Sequence, residues 1–433
     1  MTAEQYARRL AEMIRCRTVS VGGACDDAEF ARLRAVMAEL FPLVHEKAER
    51  HSFSQDCWVY FLPGKDPARS VMLMSHHDVV QAAGQWSHPP FAGEIAEGKL
   101  WGRGTVDTKT SLFAEFSALE ELLAEGWRPP VNVFLASSHN EELGGDGIPR
   151  VLEWLKGQGV CFEVVLDEGG AVVQPPIAGL RCAWCAGVAV HEKGRCWLSC
   201  TARAEGKGGF VYGVKTPVER MAAFIEEASS GKRFIRRLNP TMRAMFSFLA
   251  PHCKLPLRLV LKNLWLTGGL LVSLLPKISA EAGELLGTTC SFSVVNGDRG
   301  HCAATACLRA VDRGDMERDL AALRGAAEKY GVEVRIDLAS EYHEPADLTS
   351  PAFAYTLGCI RKVFPDAPPM PYILPAMTDG RWLTEVCPCV LRFAPIRLSG
   401  QQFASVHCPD ENISLEAIAD AVRFYREFLR GYR

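Results

Sequence analysis

Apolar positions along the chain change period several times, and each change marks an element. Over residues 2–15, Tyr6, Leu10, Met13 and Ile14 recur at helical spacing, as do Phe30, Leu33, Val36, Met37 and Leu40 over 28–41. Short apolar runs near 57–62, 70–74, 131–135 and 164–166 read as strands. Between them, residues 108–126 put Leu112, Phe113, Phe116, Leu119, Leu122 and Leu123 on the inner side of a long helix, ended by Gly126 and two prolines. This alternation predicts right-handed βαβ units, hence an α/β fold with a mostly parallel sheet flanked by helices.

Near Gly187 the character changes. Residues 188–190 and 197–201 are strand-like and 216–229 helical; 290–295, 302–310 and 314–328 follow as strand, strand and helix. Together they form a second, α+β module. The chain then returns to the first domain through Val332-Glu333-Val334-Arg335-Ile336 and ends on a helix over 415–429. The expected division is 1–187 and 333–433 for one domain, with 188–332 inserted between. Residues 240–277 stand apart, because their leucine-rich runs are interrupted by basic residues and prolines. The longest unbroken run falls short of the roughly 20 apolar residues needed to span a bilayer. Such a stretch fits an oligomer contact or extra core, a lid over an apolar pocket, or a surface that touches lipid.

Composition narrows the frame. A chain of 433 residues exceeds what one hydrophobic core serves, so two domains are expected. With 48% hydrophobic and 23% charged residues it is globular, and a net charge of −3 leaves no case for nucleic acid. Sixteen cysteines scattered through apolar runs read as reduced thiols of a cytoplasmic protein. Cys182-x-x-Cys185 lacks the second CxxC of a structural zinc site, and Met1-Thr2-Ala3-Glu4-Gln5 lacks the start of a signal peptide.

Four pieces carry candidate chemistry: Ser75-His76-His77-Asp78, Trp101-Gly102-Arg103-Gly104-Thr105-Val106-Asp107, His139-Asn140-Glu141-Glu142 and Leu166-Asp167-Glu168-Gly169. Three of them follow or close a strand-like run. In open α/β sheets the carboxyl ends of strands face the ligand crevice. An imidazole and several carboxylates delivered there suit a divalent metal such as zinc.

With Trp86, Pro89-Pro90-Phe91, Thr378-Asp379-Gly380-Arg381 and His407-x-x-Asp410-Glu411, these pieces resemble the aminoacylase/carboxypeptidase family of co-catalytic zinc metallopeptidases. Within it they are most similar to the branch of carboxypeptidase S and the N-fatty-acyl-amino-acid synthase/hydrolases. The resemblance implies a zinc-exopeptidase-like catalytic domain with an inserted lid/dimerisation domain, a homodimer formed through that lid, and two Zn2+ ions for which Co2+ or Mn2+ substitute. It makes Asp107 the bridging carboxylate, with His76 and Glu168 on one ion and Glu142 and His407 on the other; Asp167 competes with Glu168. Asp78 would orient the His76 imidazole, and Glu141 would act as general base. Arg381 either holds a substrate carboxylate or pairs with Asp379 or Glu385. The implied reaction is hydrolysis of N-acyl amino acids or short peptides with a free C-terminal carboxylate, with an apolar acyl group compatible with residues 240–277.

One departure qualifies this reading. The lid text Glu205-Gly206-Lys207-Gly208-Gly209-Phe210 puts phenylalanine where the family carries an oxyanion-supporting histidine. Loss of one such donor costs about 10²–10³ in rate. His301, in His301-Cys302-Ala303-Ala304, is a candidate substrate-binding replacement or a structural residue. The alternatives are therefore a metal-binding member with impaired or altered catalysis, serving as a binding or regulatory module, and an interaction protein using 240–277.

Overall fold

The computed structural model describes residues 1–21, 24–175, 177–204, 214–230, 233–339 and 342–433. Its centre is a ten-stranded sheet. Strands Val390–Arg392, Val164–Asp167, Asp66–His76 and Val131–Ser138 lie side by side and parallel, with Leu73 in register with Leu166 and His76 with Ser138. All eight residues of Val131–Ser138 are buried, as are Val164–Asp167, so these strands read as continuous apolar runs and not as alternating ones. Outside the parallel centre the sheet is mixed. Cys57–Leu62 and Glu49–Phe53 extend it antiparallel on one side, and Cys185–Glu192 meets Val390–Arg392 antiparallel on the other. Helices Lys109–Ala124 and Leu415–Gly431 pack on each other, with Lys109–Ala124 against the central strands.

A separate four-stranded antiparallel sheet runs in the order Thr289–Gly297, His301–Ala310, Gly194–Arg203, Val332–Ala339. Along Gly194–Arg203 burial alternates strictly, so one face meets Met221, Phe224, Leu320 and Leu323 of helices Pro217–Ser229 and Arg313–Lys329. Two strands fall in a different sheet from the one their sequence suggests. Cys185–Glu192 belongs to the large sheet, where Pro369–Leu374 pairs with it in parallel. Val332–Ala339 does not lead straight back to the first domain; it pairs with Gly194–Arg203 in the small sheet. Both strands have composition suited to either sheet, and long-range pairing decides. The break between sheets falls at Lys193, whose buried ammonium donates to the carbonyls of Glu284 and Gly287 at 2.8 and 2.7 Å.

The 240–277 stretch is helical. Pro240–Leu249, opened by an Asn239 side chain that accepts from the Met242 amide, buries Met242, Met245, Phe246 and Leu249 against Met370 and Ile373 of the large sheet. Leu255–Lys262 and Leu264–Ile278 follow, bent 108° at Asn263, and among the described residues no single helix is long and apolar enough to cross a membrane.

Candidate metal centre

The parallel strands deliver their carboxyl ends to one place. His76 is the last residue of Asp66–His76; Glu141 and Glu142 form a short turn just past Val131–Ser138; Glu168 follows Val164–Asp167 directly. Asp107 sits in the loop before helix Lys109–Ala124, and His407 arrives from beyond Gly400–Ala404, held at a φ of +61°.

Asp107 stands between two imidazoles. Its Oδ1 lies 3.0 Å from His76 Nε2, and its Oδ2 lies 3.0 Å from His407 Nε2. The His76 Nε2 is also 3.2 Å from Glu168 Oε1, while the His407 Nε2 is 3.2 Å from Glu142 Oε2. Two half-sites thus share one carboxylate. His76, Asp107 and Glu142 offer ligand atoms all within 4.8 Å of one another, and so do His76, Glu141 and Glu168. Glu168, not Asp167, is the carboxylate that reaches His76. Asp167 is turned away, accepting the amides of Glu168 at 2.9 Å and of Gly380 at 2.7 Å. A side chain at Gly380 would collide with that carboxylate, its Cβ falling 2.6 Å from Asp167 Oδ2.

Too much negative charge is buried here for the two imidazoles alone to balance. Burial and nearby Asp107 push Glu168 up to about 8, and burial likewise pushes Asp167 up to about 6. Glu141 and Glu142 are raised by burial and by their acidic neighbours. Hydrogen bonds to Asp107 and Glu142 push His407 up to about 10. Glu142 Oε1 is buried with no hydrogen-bond partner among the described residues. Raised carboxylates, imidazole nitrogens aimed at them and an orphan buried oxygen are the donor chemistry that a cation completes, so these residues fit a divalent metal.

The surrounding residues hold the ligands in place. Fully buried Asp78 accepts the amides of Glu141 and Glu142 at 3.2 and 3.3 Å, its carbonyl lies 2.9 Å from His76 Nδ1, and its carboxylate lies 3.3 Å from that nitrogen. It therefore steers three neighbours and not the imidazole alone. Glu411, quoted in the sequence without a role, is fully buried and accepts the amides of Gly104, Val106 and Asp107, with Arg103 paired to it at 2.5 Å. It shapes the loop that presents Asp107. Ser138 donates to Asp379 at 2.6 Å, so Asp379 is anchored beside the centre.

Arg381 is buried, donates to the Thr378 carbonyl at 2.6 Å and lies 4.0 Å from Asp379. Of the two pairings considered for it the Asp379 contact is the one recorded, while Glu385 pairs with Lys156. Arg381 lines a cavity with His191, Lys193 and His343. Arg195, on the small sheet, was missed in the sequence: its Nη2 would lie 3.8 Å from a Cβ at Gly144, and burial with Arg381 and Arg309 nearby lowers its pKa. No local motif marks it, since only the packing of the two sheets brings it to this cleft. His301 does not join the centre. It opens the strand His301–Ala310 opposite Arg203, about 30 Å of extended backbone from Ala310, where neighbouring Arg309 reaches the Pro375 carbonyl. Phe210 lies outside the described residues.

A family model for peptidase family M20/M25/M40 matches residues 72–431. Among curated proteins, a probable carboxypeptidase S-like 2 of Dictyostelium discoideum is 28% identical over 445 residues, covering 99% of this chain and 85% of that protein. An N-fatty-acyl-amino acid synthase/hydrolase of Homo sapiens is 25% identical over 422 residues, covering 93% and 82%. In fold, an M20 family metallo-carboxypeptidase from Sulfolobus solfataricus superposes with a TM-score of 0.70 at 17% identity, covering 98% of both chains.

Proposed function

Because the chain belongs to peptidase family M20/M25/M40 and is a hydrolase of carboxypeptidase or aminoacylase type, we propose a two-zinc amidohydrolase. Its substrates in this reading are N-acyl amino acids or short peptides with a free C-terminal carboxylate. The observation that carries the proposal is Asp107, each of whose oxygens faces a different imidazole at 3.0 Å with a further carboxylate beyond. His76, Asp107 and Glu168 would hold one ion, and Asp107, Glu142 and His407 the other; cobalt or manganese would substitute. Bound there, such a pair supplies Lewis acidity that lowers the pKa of a water and polarises a scissile carbonyl.

The remaining work falls to side chains of this chain. Glu141, raised by burial and adjoining the ligand Glu142, takes the proton from the attacking water and passes it to the leaving amine. Asp78 keeps the Glu141–Glu142 turn and the His76 ring in mutual register. Arg195, with Arg381 and Arg309 near it, makes one side of the cleft cationic, and Arg381 receives the substrate carboxylate. The small sheet and its helices act as the lid, with its boundaries shifted to Lys193 and the end of Val332–Ala339. Exposed Val294 and Val295 on its edge strand support a homodimer through that lid. The described cysteines are all free thiols, which supports a cytoplasmic setting. The impaired-catalysis alternative draws on Phe210 alone and is not favoured.

The test is turnover of an N-acyl-amino-acid and dipeptide panel by the zinc-loaded wild type and the Glu141→Gln variant. Hydrolysis by the wild type, lost in a variant that keeps its metal, supports the reading. Equal rates in both overturn it.

A further inference from the structure

Helix Leu264–Ile278 is apolar on both of its sides. Leu264, Leu271, Val272 and Leu275 face inward onto the Met242–Phe246 cluster. Outward it presents Trp265 at 82% exposure, Leu266 at 69%, Leu270 at 58% and Ile278 at 70%, one continuous stripe at helical spacing. Helix Leu255–Lys262 adds Leu255 and Leu259, also exposed. A helix that is hydrophobic all round belongs in a core or against lipid, and this one lies at the surface.

Charge identifies what covers it. Between Glu227 and Glu281 the chain has nine lysines and arginines and no acidic residue, although its net charge is −3. Three of the cations, Lys254, Lys262 and Lys277, are exposed on or beside the two helices. A second copy docking here through the same face would set cations against cations, whereas an anionic lipid surface is complementary to both the stripe and its lysines. The bend of 108° at Asn263 excludes a straight crossing by the two helices as one rod. We propose that these two helices dock the protein on a membrane surface rich in anionic lipid. The proposal does not depend on the reaction assigned to the metal centre.

The experiment is co-sedimentation of the full chain with phosphatidylcholine vesicles and with mixed phosphatidylcholine–phosphatidylserine vesicles, alongside sedimentation equilibrium without lipid. The wild type should bind the mixed vesicles, bind neutral ones more weakly, and release in high salt. A Trp265→Ser/Leu270→Ser variant should lose at least about tenfold in affinity, and a Lys254→Ser/Lys262→Ser variant about fivefold per lysine. The variants alter exposed positions only, and metal content checks that they fold. Absence of binding to mixed vesicles overturns the proposal, as does binding that neither variant weakens. So does a variant that changes the oligomeric state while vesicle binding stays the same, because the face then belongs to a second copy.

Discussion

The carboxyl end of the large sheet and the bent helix pair of residues 255–278 invert the usual distribution of residues in opposite senses. The first buries charge: His76, Asp78, Glu168 and Glu411 are all inside. The second exposes hydrocarbon, with Trp265 and Ile278 among the most exposed large side chains described. Buried charge is costly unless paired, and a large exposed apolar stripe is rare on a monomer. The two inversions need different partners. Cations satisfy the first, and an apolar phase with anionic headgroups satisfies the second. Each region is understood by what it lacks in isolation.

The largest expected effect breaks the chemistry without breaking the site. Glu141→Gln should lower kcat by about 10²–10⁴, read by product formation, with metal content unchanged. Next comes the loop behind the site. Glu411→Ala leaves Arg103 buried without its carboxylate and should cost about 3–5 kcal/mol, read as a shift of the denaturation midpoint. An unchanged midpoint would mean that the Asp107 loop holds itself. Zinc at a hundredfold its Kd should stabilise chelator-treated protein by about 2.7 kcal/mol in thermal melts, since the ions bind only the folded cluster. The smallest effect sharpens the contrast: Trp265→Ser should change stability by less than about 0.5 kcal/mol, because that side chain contributes to no core. A larger loss would place Trp265 inside a contact that this chain makes with itself.

The clustering of the candidate metal ligands was legible because the signals are local. His76, Glu141, Glu142 and Glu168 each follow an apolar run, and a buried parallel strand must put its next residues at the crevice. The supports were not legible. Glu411 acts on Gly104 and Asp107 across some three hundred positions, and Asp78 serves the amides of Glu141 and Glu142 over about sixty. Neither pairing leaves a periodic trace. The same holds for sheet membership: Val332–Ala339 reads as a strand, but only pairing with Gly194–Arg203 tells which sheet receives it. His301 opens its strand opposite Arg203, a position that its local sequence does not disclose. The apolar helices were visible as composition, and their outward face emerged only from packing.

Whether Asp107 joins two cation sites is decided by metal stoichiometry, measured by elemental analysis of zinc-equilibrated wild type and Asp107→Asn after removal of free ion. About two zinc ions per wild-type chain are expected, with a marked loss from the variant, because Asp107 faces both half-sites. A wild type that retains no zinc, or a variant that retains as much as wild type, would contradict it.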